Sequence, residues 1–321
     1  MTGQDRFVAR HTTDWEALEQ VLDRLEGGQT VAAPDFPQAY RRLCQQLALA
    51  RSRAYNPDLV DRLNRMVLRG HQQLYGRPLI APRLLEGIQR TFPRRVRQEW
   101  RLVAASAALF VLPLLLTVLA IKLNPESIHS VLDPMMLENV EQMYDPDSEQ
   151  FLHERSAETD IEMFGFYIRN NIGVGFRIFA SGLLAGLGSV FFLMFNGVSI
   201  GAVIGHLENI GFVGTLYPFM IAHGAFELTA IVLAGAAGLR LGLALIAPGR
   251  YSRRTAMAQA AKTAMPIVYG FTGMLVIAAG LEAFWSPRHT LPLGLRYGVG
   301  AAMWVLVGVY LAGAGRGDAT R

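Results

Sequence analysis

The chain has 321 residues, 51% of them hydrophobic and only 17% charged, where an average soluble domain carries roughly 25% charged residues. With 32 glycines, one cysteine and a mean hydropathy of +0.26, this composition excludes a disordered, collagen-like or disulfide-stapled chain and argues against an ordinary cytosolic enzyme. The formal net charge of +4 comes from basic residues standing beside apolar runs, which points to anionic lipid and away from nucleic acid.

Residues 1–101 carry 17 arginines and 11 acidic residues and read as a small helical domain. Thr13-Asp14-Trp15-Glu16 has the form of a capping box, followed by Trp15, Leu18, Leu22 and Leu25 on one helical face and by a Gly27-Gly28 stop. Further helices are predicted from Pro37 to Tyr55, from Pro57 to Tyr75, and from about Pro82 onward with a break at Pro93. Residues 1–30 contain no apolar run, so membrane insertion is expected to use internal segments.

The first span is predicted at residues 102–121, near the 20 apolar residues that cross hydrocarbon, with Pro113 as a kink. Arg94, Arg95, Arg97 and Arg101 precede it and predict a cytoplasmic start. Residues 122–160 hold ten acidic residues against Lys122 and Arg155, and are expected outside as an acidic loop of turns and short helices. Residues 161–315 are expected to form a transmembrane bundle with interrupted helices. Within it, Ile172–Phe195 reads as a clear span, Val198–Val213 as a short one, and Leu216–Ala247 as too long for a straight crossing. The basic loop 249–263 is expected inside, and spans at 264–285 and 291–311 finish the set. The fold class is therefore all-α, a polytopic helical membrane protein with a cytoplasmic N-terminal domain. Six crossings place both termini inside. Whether 197–213 crosses stays open.

Charged groups inside hydrocarbon cost about 2.5–3.5 kcal/mol each on insertion scales, so polar residues within the spans are the informative ones. Four sites stand out: Asn170-Asn171 with Arg177, Asn196-Gly197, His206 with Glu208, and His223 with Glu227. His223 and Glu227 are four apart and share a helix face, an arrangement suited to a proton relay or to polar packing between helices. Arg177 and Arg240 are read as snorkelling side chains. No HExxH or nucleotide-binding motif is present, and no catalytic residue, metal or cofactor is assigned.

Small-residue spacing is the other signal. Gly182 with Gly186, the series Gly197, Gly201, Gly205, then Gly238 with Gly242 and Gly294 with Gly298 each make grooves where another helix backbone can approach closely, within the chain or in a homodimer.

The ordered set Asn170-Asn171, Asn196-Gly197 with Gly201, His223-Gly224-Ala225-Phe226-Glu227-Leu228 and Ala234-Gly235-Ala236-Ala237-Gly238 resembles the stage II sporulation protein M family over about residues 160–250. Phe7-Val8 and Trp15-Glu16-Ala17-Leu18 are similar to the N-terminal part of its longer members. The resemblance implies an integral protein of the bacterial cytoplasmic membrane. In spore formers the family's namesake is a scaffold for envelope-remodelling enzymes. The resemblance also implies RDD-type membrane proteins or MoxR-type ATPases as partners. The Arg-rich N-terminal domain, absent from the short sporulation protein, departs from that pattern.

Three functions follow as expectations. The first is a non-enzymatic, dimeric scaffold that contacts lipid and envelope-associated proteins. The second is an ion- or proton-coupled transporter built on His223 and Glu227, with Asn171 and Asn196 as ligating amides. The third, an intramembrane hydrolase, requires His206, His223 and Glu227 to converge on one metal.

Overall fold

The structure is a computed structural model and describes residues 2–27, 35–75, 86–148 and 156–316. Among the described residues the elements are helical, and the chain divides into two compact units, Met1–Leu84 and Leu85–Arg321.

The first unit holds α1 (Gly3–Glu26), α2 (Phe36–Ser52) and α3 (Pro57–Tyr75). Its core joins Phe7, Trp15, Leu18 and Leu22 of α1 to Leu43, Leu47 and Ala50 of α2 and to Leu63 and Met66 of α3. The capping box lies at Thr2 and Asp5, not at Thr13: Thr2 Oγ1 accepts from the Asp5 amide at 3.1 Å, and Asp5 returns the contact to the Thr2 amide at 2.7 Å. These bonds hold the Asp5 carboxyl below its ordinary range. Thr13 is mid-helix because Phe7 extends the apolar stripe upstream of it. The helix does end where the two glycines predict. Arg62 pairs with Glu19, and Arg69 with Asp23 and Glu26, so the ion pairs lie outside the apolar core.

The second unit begins with a π-helical turn (Gly87–Thr91) and α4 (Phe92–Gln98). Pro93 falls in the first turn of α4, where its missing N–H costs nothing, so it starts a helix instead of breaking one. The predicted start at Pro82 lies outside the described residues. Phe92 and Val96 are buried in the core of the second unit, which begins at Leu85. There follow α5 (Trp100–Leu123), a 3-10 turn (Pro125–Ser130), α6 (Pro134–Tyr144), α7 (Ala157–Ala180), α8 (Leu187–Asn209), α9 (Val213–Ile246), α10 (Arg253–Phe284) and α11 (Leu293–Gly313). Five of these, α5, α8, α9, α10 and α11, are long and apolar enough to cross a membrane. Pro113 lies inside α5 without ending it.

The predicted span Ile172–Phe195 is not one helix. It is cut at Ser181–Gly186, where α7 stops and α8 begins. This turn is invisible to hydropathy because it is built from Ser181, leucines, alanine and glycines. Its backbone is satisfied locally, with Gly186 N–H donating to the Gly182 carbonyl at 2.8 Å and Ser189 Oγ donating to the Ile178 carbonyl at 2.7 Å. Gly186 takes a φ of +82°, which favours glycine. Residues 198–209 of the short segment are thereby absorbed into α8, whose 23 residues span about 34 Å, and Val213 opens α9.

Contacts along the helices fix their directions. Glu99 lies 3.7 Å from Arg240, and Gly186 packs on Gly242, so the start of α5, the Ser181–Gly186 turn and the α9–α10 loop share one end. Arg101, Arg250, Arg253 and Arg254 follow at this basic end. At the other end Asn209 donates to the Ile121 carbonyl, Thr215 to the Tyr144 carbonyl, and Arg288 to Asp160. The acidic segment 125–144 lies there. It is folded onto the bundle, with Ile128, Leu132 and Leu137 buried against Ile121 and Ala202.

The glycines account for the tight packing. A Cβ at Gly197 or Gly201 would overlap the Phe110 or Leu114 carbonyl, and one at Gly205 would press on Val118, so these three form the seam between α8 and α5. Gly182 abuts Gly238, and Gly186 abuts Gly242, on α9. Gly294 and Gly298 on α11 face open space.

Candidate functional site

Between α7, α8 and α9 lies a cavity of about 550 Å³. Helical spacing sets its walls. From α7, Asn170, Val174 and Arg177 recur at four and three residues. From α8, Asn196, Ile200 and Val203 do the same, and from α9, Leu216, Met220, His223 and Glu227. The acidic end is closed over by Met136, Val140 and Tyr144 of α6.

Five of the sequence-predicted polar residues, Asn170, Arg177, Asn196, His223 and Glu227, thus line one space, while Asn171 stands just behind it. His223 is buried, and its Nε2 is 3.8 Å from Glu227 Oε2. Its Nδ1 is 3.0 Å from Ser286 Oγ, and the buried Arg296 donates to the Ser286 carbonyl at 2.9 Å. Asn171, also buried, accepts from Asn170 at 3.1 Å and donates to Glu282 Oε2 at 3.1 Å. Asn196 spends its amide on the Phe192 carbonyl at 2.7 Å. The ring of Phe219 meets His223 edge-on at 5.4 Å between centroids.

Glu282 completes a group that sequence reasoning missed. Ligand atoms of His223, Glu227 and Glu282 all lie within 4.8 Å of one another. A signal existed: Glu282 is the one charged side chain in the apolar run 264–285. Tyr144 was missed too, because nothing in an acidic loop marks which residue folds inward. Burial, followed by the nearby Glu282, Tyr167 and Glu227, pushes its hydroxyl well above the ordinary tyrosine range.

His206 and Glu208 do not join this group and do not pair with each other. They are two apart on α8 and so point to different neighbours. His206 Nε2 meets Glu141 of α6 at 2.7 Å, whereas Glu208 holds Lys122 and Tyr217. The trio His206, His223 and Glu227 required for the hydrolase reading is therefore not assembled. Arg177 was placed at the start of a span; it sits instead in the last turn of α7, because that helix ends at Ala180, and it borders the cavity while remaining exposed. Arg240 pairs with Glu99 instead of reaching outward alone.

A bundle of long apolar helices with polar groups turned inward defines a multi-pass integral membrane protein. The chain belongs to the stage II sporulation protein M family, whose model matches residues 105–287. A second family model, a domain of unknown function (DUF8413), matches residues 5–76, the helical N-terminal unit. No curated protein and no solved structure matches the chain.

Proposed function

We propose that the protein carries protons or small cations through its bundle, with the cavity as the ion's station. The observation that carries this reading is the convergence of His223, Glu227 and Glu282 from two helices on a cavity also lined by Asn170, Arg177 and Asn196. Ionisable groups at membrane depth are costly and commonly mark ion pathways. In this reading α6 is a cover: Tyr144 lies over the carboxylates, and the Glu141–His206 contact pins the cover down. Basic residues gathered at one end and acidic ones at the other support a cytoplasmic-membrane protein with its N-terminus inside. The test is flux in proteoliposomes under pH and cation gradients. The wild type is expected to dissipate a gradient, and Glu227→Gln to reduce the rate at least tenfold. Absence of flux under every gradient overturns the reading.

A second reading, a dimeric scaffold for envelope-associated partners, has its own support. Gly294 and Gly298 lie exposed on α11, and a Cβ at either position would meet nothing, which leaves a surface where a second copy's helix fits. The N-terminal unit, with a core of its own, suits partner binding. Candidate partners remain RDD-type membrane proteins and MoxR-type ATPases. Loss of the dimer in Gly298→Leu, read by cross-linking in membranes, supports this reading; a wild type that is monomeric overturns it.

A further inference from the structure

One imidazole and two carboxylates, drawn from α9 and α10, surround a small volume at the cavity wall. We propose that His223, Glu227 and Glu282 bind a divalent transition-metal ion of the zinc or manganese class. The proposal deepens the ion-station reading above, on which its transport role rests, by naming the ion.

The geometry favours a metal over a simple ion pair. A charge-assisted hydrogen bond between His223 and Glu227 would close to about 2.7–2.9 Å. The observed separation is 3.8 Å. Two ligands each about 2.0–2.1 Å from a tetrahedral ion stand about 3.4 Å apart, so this pair needs only a small contraction to admit one, with the Glu282 carboxylate within 4.8 Å of both. Two carboxylates this close repel each other in a poorly solvated place, and a divalent ion offsets both charges.

The surrounding residues hold the ligands as a metal site requires. Ser286 Oγ engages His223 Nδ1, which leaves Nε2 as the nitrogen turned toward the carboxylates. Arg296 fixes the Ser286 backbone from behind, and buried Asn171 fixes Glu282. Such outer contacts set the orientation and basicity of metal ligands. One nitrogen and two carboxylates select zinc, manganese or ferrous iron over magnesium and calcium, which prefer oxygen throughout. Three protein ligands beside a cavity leave a coordination position open to water.

The full chain in detergent, stripped with chelator, is equilibrated with Zn2+, Mn2+ or Mg2+ alone and analysed for bound metal and melting temperature. The wild type should retain one equivalent of Zn2+ or Mn2+, and its Tm should rise with those ions but not with Mg2+. Glu282→Gln should weaken binding at least tenfold, and Asn171→Ala about 10–100-fold. Arg62→Ala, which removes an ion pair with Glu19 in the N-terminal unit, should bind like the wild type. If Glu282→Gln fails to fold, the ion-specific rise in wild-type Tm decides the matter. No bound equivalent, binding unchanged in Glu282→Gln, or an equal response to Mg2+ overturns the proposal. Bound metal without flux overturns the transport reading and leaves the site standing; flux without bound metal does the reverse.

Discussion

The two units solve opposite packing problems with the same secondary structure. In residues 2–75 large side chains such as Trp15, Leu22 and Met66 go inside and ion pairs such as Arg69 with Glu26 stay outside. In the second unit many large apolar side chains face outward, as Leu112, Leu115, Leu116 and Leu119 of α5 and Phe191 and Phe195 of α8 do. Its interior sets large side chains such as Phe110, Leu193 and Phe271 beside many small and polar ones: Ala230, Ala234, Gly235, Ala237 and Gly238 on α9, with Ser106, Ser189, Asn171 and His223. The difference follows from the solvent. Water drives large apolar groups together, whereas lipid gives no such drive, so close backbone approach and interior hydrogen bonds hold the helices instead.

Substitutions that each solvent regime should punish differently can break or sharpen this contrast. The largest effect is expected for Gly238→Leu, because a side chain there collides with Ser189 and with the Ile178 and Phe179 carbonyls of a neighbouring element. Fluorescence-detected size-exclusion chromatography should show loss of the folded peak, while Gly294→Leu, facing open space, should leave the monomer's fold intact. Equal behaviour of the two would end the claim that glycines form the interior seams. Next comes Trp15→Ala, which removes a side chain 1% exposed and should cost the N-terminal unit about 3–5 kcal/mol. Hydrogen exchange should then rise in α1–α3 and stay unchanged in α9 and α10; a matching loss in the bundle would show that the units share one stability. The smallest effect is expected for Arg97→Ala. The Arg97 guanidinium donates to the Leu311 and Ala314 carbonyls at 2.7 Å each, capping α11. Its removal should cost about 1.5–3 kcal/mol, the range for hydrogen bonds to a charged group, read as faster exchange confined to residues 310–314.

The N-terminal unit was the more legible of the two. Helix α3 begins at Pro57 and ends at Tyr75 as the pattern requires, and the α1 stripe of Trp15, Leu18 and Leu22 is its core face. The capping box was misplaced because Thr13 and Glu16 carry the right spacing but sit inside a stripe that already starts at Phe7. In the bundle neither the number nor the boundaries of the crossing elements could be read from hydropathy: six crossings are expected, and among the described residues five helices are long and apolar enough to cross. A turn made of Ser181, Gly182, Gly186 and apolar neighbours has the hydropathy of a span, so one helix was read where two meet.

The site was partly legible for a similar reason. Rarity alone singled out Asn171, Asn196, His223 and Glu227, since a polar residue amid apolar ones has a cost that composition reveals. Their partners were hidden. Glu282 is 55 residues beyond Glu227 in the chain, and only the antiparallel packing of α9 and α10 brings it within reach. His206 and Glu208 look like a pair in one dimension, yet α6 and Lys122 draw them apart.

Sequence by itself determined the membrane-spanning character, the helical class and the short list of costly polar groups. These depend on composition and on the 3.6-residue period, which are local. Tertiary structure alone decided which of those groups share a cavity, that the acidic segment folds down as its cover, and that the glycines of α8 and α9 are used within the chain. Those outcomes depend on helix direction and on which backbones touch, and residues far apart in the chain carry no local mark of either.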